Sequence, residues 1–188
     1  MKKAIAGIAV GVFAIAGIAY WVEESDDPSR TTTSTSSRTQ PVHVLLVTID
    51  TLRADRLGSY GWADARTPVF DSLARRGVRF TRAYATAPIT LTSHATMLTG
   101  RYPPGHGARH NGVSMQANVP TLAMRFKEAG FETGAFVSAF PLDKRFGLGR
   151  GFDIYDDELP RGTDGRPSNE RAGSLTVDRA IAWMRGRH

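Results

Sequence analysis

The stretch from Val42 to Ile49, VHVLLVTI, constrains the fold of this chain more than any other. It is apolar almost without a break and rich in β-branched residues. A run with so little alternation predicts a central strand buried on both faces, the arrangement of parallel sheets covered by helices. It ends at Asp50, and helix and strand signals alternate after it. Thr67-Pro68 opens a helix, with Thr as N-cap and Pro at the first helical position. Phe70, Leu73 and Ala74 form its apolar side, and Gly77 closes it. Val78 to Ala85 predicts a strand, and Ser93 to Leu98 a short helix start. Thr121 to Ala129, closed by Gly130, predicts a helix with Leu122, Phe126 and Ala129 on one face. Thr133 to Ala139 predicts another strand. Ser174 to Arg187 predicts an amphipathic helix, with Leu175, Ala182 and Trp183 among its apolar positions. Together these signals define an α/β fold with a mostly parallel sheet flanked by helices.

The first 41 residues have a different character. Ala4 to Val22 is 19 residues without a charge, preceded by Lys2 and Lys3 and followed by Glu23, Glu24, Asp26 and Asp27. A helix of that length spans roughly the hydrocarbon core of a bilayer, and the charge asymmetry places the remainder on the exported side. Residues 1–22 therefore predict an N-terminal transmembrane helix acting as a signal anchor. The small residues around Ala14-Ile15-Ala16 leave a cleaved signal peptide open as the other choice. Either way a periplasmic or cell-surface location is expected. Ser29 to Thr39 is Ser or Thr at nine of eleven positions, so residues 23–41 predict a disordered linker. Residues 42–188 are left as one domain.

Composition narrows the chemistry. The chain has no Cys, which removes disulfides, thiolate metal sites, a Cys nucleophile and a lipidated N-terminus. Its 24 Lys and Arg against 18 Asp and Glu leave +6, mostly as Arg. Arg suits anionic groups because guanidinium pairs bidentately with phosphate or sulfate. No Arg cluster with interleaved aromatics occurs, so no nucleic-acid partner is expected.

In open α/β sheets ligands sit beyond the carboxyl ends of the strands. Asp50 lies at such an end, where a carboxylate either holds a divalent cation or caps the following turn. The segment Ala87 to Arg101, APITLTSHATMLTGR, carries hydroxyls at Thr90, Thr92, Ser93, Thr96 and Thr99 just before and inside a helix. A hydroxyl at a helix amino terminus can cap it, or can meet an anion there and act as a metal-activated nucleophile.

Three segments in order, LLVTIDTLRADRLGSYG, TPVFDSLARRGVRFTRAYA and TLTSHATMLTGR, resemble the amino-terminal half of the sulfatase family, in the alkaline-phosphatase superfamily. The resemblance covers roughly residues 42 to 160 and implies a partial fold of that kind. The family signature is C/S-x-P-S-R followed by T-G-R. In this register Thr90 holds the nucleophile position, Thr92 replaces the Pro, Ser93 matches the Ser and His94 replaces the Arg. Thr cannot become formylglycine, so the resemblance implies a metal-activated Thr nucleophile without that cofactor. It implies Asp50 and Thr90 as ligands of a divalent metal, of Ca, Mn, Mg or Zn type. Thr51 stands where sulfatases carry a second Asp, and Ser138-Ala139-Phe140 stands where they carry Lys-x-His.

Asn111, 21 residues beyond Thr90, resembles a phosphoryl-contacting Asn of phosphodiesterase-type members, or is a turn residue before Gly112. His94 either contacts the leaving group or a non-bridging oxygen, or lies on the helix surface. His106 and His110 are expected to be loop residues. No Asp-His-Gly segment follows. The expectation is a truncated, inactive member of a family that hydrolyses or transfers sulfate or phosphate esters, with a possible separate carboxyl-terminal half as partner. The alternative is a non-catalytic, membrane-tethered binding or assembly module.

Overall fold

The computed structural model describes residues 42–162, 165 and 168–186. The expected anchor and linker, residues 1–41, lie outside the described residues. Among those described, no helix is long and apolar enough to cross a membrane.

Helix α1, Pro68–Arg76, begins and ends where Thr67-Pro68 and Gly77 predict. Thr67 does not cap it with its side chain. Its Oγ1 instead accepts from Gly58 N at 3.0 Å and donates to Asp71 at 3.3 Å, while Asp71 accepts from Ser59 N at 2.6 Å. These bonds tie α1 to the short 3₁₀ turn Gly58–Tyr60. Helix α2 is Thr90–Thr99, α3 is Pro103–His106 and α4 is Leu122–Glu128. Gly100 stops α2 in the left-handed region, φ 67°, where a residue without a Cβ has little strain. Thr121 does cap α4, accepting from Met124 N at 3.2 Å.

Strands β1, Gly134–Phe136, and β2, Ile154–Asp156, pair in parallel, with Gly134 opposite Ile154 and Phe136 opposite Asp156. Helix α5, Gly173–Arg185, packs on β1. The Trp183 ring lies so close to Gly134 that a Cβ there would come within 3.0 Å of it. Chain reversal is locked by Arg171, whose buried guanidinium bonds Asp156 Oδ1 at 2.7 Å and Thr176 Oγ1 at 2.9 Å. Asp156 also takes Arg179 at 2.9 Å. Burial alone would raise the Asp156 carboxyl, but the two guanidiniums outweigh it and hold it below the usual carboxylate range. The main core joins Leu91 and Ala95 of α2 to Ala108, Met115, Leu142, Phe146 and Leu148.

The architecture is α/β with a parallel pair flanked by helices, and three expectations change in detail. Residues 42–49 form no continuous strand, with single bridges at Leu45 and Val47 only, and are not buried on both faces: Val44, Leu46 and Thr48 are half-buried, whereas Leu45, Val47 and Ile49 are 48%, 50% and 48% exposed. Burial on two faces needs a layer on each side, and the described residues cover one. Val78 to Ala85 forms no strand; Val78 and Tyr84 are exposed and nothing pairs the segment as a ladder. Helix α2 begins at Thr90, ahead of the expected start at Ser93, because its first turn is held by the core and not by a hydroxyl cap. Strand β2 had no sequence signal: it carries too few residues to show periodicity, and its place is set by pairing with β1.

Candidate functional site

Helix α2 presents two sides. Leu91, Ala95 and Leu98 turn into the core, which fixes the helix by burial. Thr90 and His94, one turn apart, share an adjacent side and meet the end of the 42–50 segment. Thr90 Oγ1 donates to Asp50 Oδ2 at 3.0 Å, across 40 residues of sequence. The nucleophile and metal-ligand candidates are thus together at a helix amino terminus, where unpaired N–H groups and the helix dipole favour an anion.

The amino end of α2 has no local cap: Ile89 stands at the N-cap position and supplies no side-chain bond. Asn111 replaces it from a distance. Its Oδ1 accepts from Leu91 N at 3.0 Å. Asn111 is therefore at the site, and its carbonyl oxygen holds the helix while its amide NH₂ is the part that could donate to a ligand. Ser93 Oγ donates back to Thr90 O at 3.2 Å, an ordinary intrahelical bond.

His94 has both ring nitrogens engaged, Nδ1 with Thr90 O at 2.8 Å and Nε2 with Thr48 Oγ1 at 3.0 Å. Burial pushes its pKa below the ordinary histidine value, opposed by the Thr90 carbonyl and the Asp50 charge. Thr48 was not legible as a site residue; its signal is a lone hydroxyl in an otherwise apolar run, two residues before Asp50.

Thr51 adopts φ 56°, left-handed backbone that a β-branched residue rarely takes. The chain turns sharply there, immediately after the carboxylate. Residues in such regions cost of order 1–3 kcal/mol and cluster at functional sites.

His106 is a loop residue by sequence but fully buried in the structure. Its Nδ1 accepts from Ala108 N at 3.1 Å, so Nε2 carries the proton and donates to Thr96 Oγ1 at 3.1 Å. Burial lowers its pKa. His110 is exposed. Ser138, at the place of the missing Lys-x-His, bonds Thr176 Oγ1 at 2.7 Å. Thr92, in place of the signature Pro, is buried with no hydrogen-bond partner for Oγ1, and nothing in the structure explains it.

Asp50 and Thr90 are hard oxygen donors and fit a divalent cation of Mg, Ca or Mn type in kind. They are too few to hold one alone, and among the described residues no group of three or more His, Asp or Glu is placed to hold a metal. They fit as part of a donor set.

The Sulfatase family profile matches residues 42–174, and the chain belongs to the sulfatase family. It is 45% identical over 73 residues to a steryl-sulfatase of Mus musculus, covering 39% of this chain and 12% of that protein. It is 32% identical over 112 residues to an ulvan-active sulfatase of Formosa agariphila, covering 60% and 20%. Among solved structures it resembles the phosphonate monoester hydrolase of Agrobacterium radiobacter, with TM-score 0.52 and 26% identity over 74% of this chain and 27% of that one. The chain thus spans between about an eighth and a quarter of the length of these proteins.

Proposed function

We propose that this chain carries the nucleophile-bearing part of a metal-assisted hydrolase or transferase of anionic esters, and that Thr90 is its nucleophile. The observation that carries this is the 3.0 Å bond from Thr90 Oγ1 to Asp50 Oδ2 at the amino end of α2. Thr90 Oγ1 attacks the phosphorus or sulfur in line, its proton passes to solvent, and the bond to the leaving-group oxygen breaks. The ester left on Thr90 is released by water or an acceptor alcohol. Asp50 and Thr90 would hold a divalent cation together with donors from further sulfatase-fold segments; that cation would supply the Lewis acidity that lowers the hydroxyl pKa. The free amides of α2 stabilise the equatorial oxygens, and the Asn111 NH₂ donates to one of them.

Phosphate or phosphonate esters are preferred over sulfate esters. Thr at position 90 supports this, since a formylglycine cannot form from it. The similarity to a phosphonate monoester hydrolase points the same way. The exposed face of Leu45, Val47 and Ile49, one residue from Asp50, is where the further segments would pack. A second reading, a non-catalytic binding module, is favoured by the incomplete donor set and keeps the same anion site. Residues 4–22 hold the domain to the exported face of a membrane; carbonate extraction and protease protection of tagged protein check that placement.

The test uses the chain both alone and together with the further sulfatase-fold segments that its relatives carry. Aryl phosphate, phosphonate and sulfate reporters are offered with Mn²⁺. The chain alone is expected to turn over none of them. With the site completed, Thr90→Ala should lose about two orders of magnitude or more while Thr90→Ser keeps much of the activity. Asp50→Asn should lose activity that excess metal partly restores. Mass spectrometry of a quenched reaction should place the adduct on Thr90; an adduct on Ser93 overturns the assignment.

A further inference from the structure

We infer that Thr48 and His94 form a latch that sets the position of Thr90 against Asp50, which makes them positioning residues of the site rather than groups that touch substrate. The inference rests on Thr90 being the reacting hydroxyl and adds to it how that hydroxyl is held.

The argument starts from hydrogen-bond chemistry. Thr90 O is a carbonyl and can only accept, so His94 Nδ1, 2.8 Å away, must carry the proton. In the tautomer with its one proton on Nδ1, Nε2 is bare and accepts from Thr48 Oγ1 at 3.0 Å. One tautomer satisfies both partners, and the ring is fixed at each end.

The spacing gives the latch its purpose. Thr48 and Asp50 are two apart where the 42–50 segment runs into a turn, and Thr90 and His94 are four apart on α2. Both pairs therefore face each other, and the structure joins them by two cross-links, Thr48 to His94 and Asp50 to Thr90. The core already holds α2, so what these bonds set is the 42–50 segment against it. One bond would leave that segment free to pivot about a point; two bonds a helical turn apart fix how it lies along α2, and so where Asp50 meets Thr90 Oγ1. The second bond also explains a hydroxyl at position 48. The neighbouring positions Val44 and Leu46, on the same half-buried side, are apolar, and burial alone would be served by Val there.

The test is NMR on the ¹⁵N-labelled full chain. Long-range imidazole spectra should show His94 protonated at Nδ1 with a hydrogen-bonded Nε2. Thr48→Val should move the Nε2 signal toward its free value and shift the Thr90 amide, with the other histidines unmoved; Thr48→Ser should restore both. His94→Asn, which keeps only the bond to Thr90 O, should likewise shift the Thr90 amide. A wild-type ring protonated at Nε2, or a Thr48→Val chain with unchanged His94 and Thr90 signals, overturns the latch. An adduct on Ser93 in the quenched reaction removes Thr90 as the nucleophile instead, and the tautomer with the Thr90 amide shift then decides the latch by itself.

Discussion

Residues 91–148 supply every buried apolar side chain among those described except Leu57, whereas residues 42–85 leave Leu45, Val47, Ile49, Val69, Leu73 and Val78 in the open. The two regions draw on the same residue types. They differ in what lies opposite. Leu91 and Ala95 of α2 face Leu142, Phe146 and Leu148, brought back by the tight turns Phe140–Leu142 and Lys144–Phe146, so both sides of that core come from one stretch of chain. The segment 42–49 and helix α1 have an apolar side and no described layer to cover it. Helix ends show the same contrast: Thr121 caps α4 with its own side chain, while Thr67 spends its hydroxyl on a distant turn. The lesson is that apolar patterning states a capacity for burial, and an opposing surface realises it.

The sharpest way to break this comparison is a matched pair of truncations. Leu91→Ala should cost about 3 kcal/mol and Leu45→Ala under about 1 kcal/mol by denaturant unfolding, because only the first leaves a cavity in packed core. Equal losses would mean that the amino-terminal segment is as well covered as α2. Arg171→Met comes next, at about 3 kcal/mol, since it strands the Asp156 carboxylate without its buried partner. That pair also sets a pH dependence. The Asp156 pKa is depressed, so its stability contribution is present above the unfolded value of about 3.9 and is lost as pH falls through the folded value. Thermal melts of the wild type should therefore decline below about pH 4, and Arg171→Met should flatten that decline.

Thr121→Ala should cost about 1–2 kcal/mol, because it removes both the cap on Met124 N and the 2.7 Å bond to Arg150 O. Removing the Thr67 hydroxyl should leave the helicity of α1 less affected than Thr121→Ala leaves that of α4, as amide exchange can show. The smallest effect concerns His106. Its pKa is depressed by burial, so its contribution is complete above the unfolded histidine value of about 6.5 and is lost as pH falls toward the folded value. Unfolding measured between pH 7 and pH 5 should show this loss, and His106→Gln should reduce it.

The helix boundaries were legible because they are local. Thr67-Pro68 and Gly77, and Thr121 and Gly130, carry their signals within a turn of the chain. Asp50 and Thr90 were legible as a pair only through the order and spacing of the three sulfatase-like segments, since 40 residues separate them. His94 was visible as a site candidate, but its partner Thr48 was hidden in an apolar run, and the ring's engagement at both nitrogens could not be read from either residue alone.

Sequence by itself determined the three sulfatase-like segments and their order, the absence of Cys, and where α1 and α4 start and stop, because each depends on residue identity or on neighbours a few positions away. Tertiary structure decided which side of 42–49 is covered, that Val78 to Ala85 forms no strand, that Ile154–Asp156 pairs with Gly134–Phe136, and that Asn111 caps α2. The physical reason is common to all four. A strand exists only when another supplies its hydrogen bonds, and a buried face or a remote cap exists only when folding brings in a group from tens of residues away.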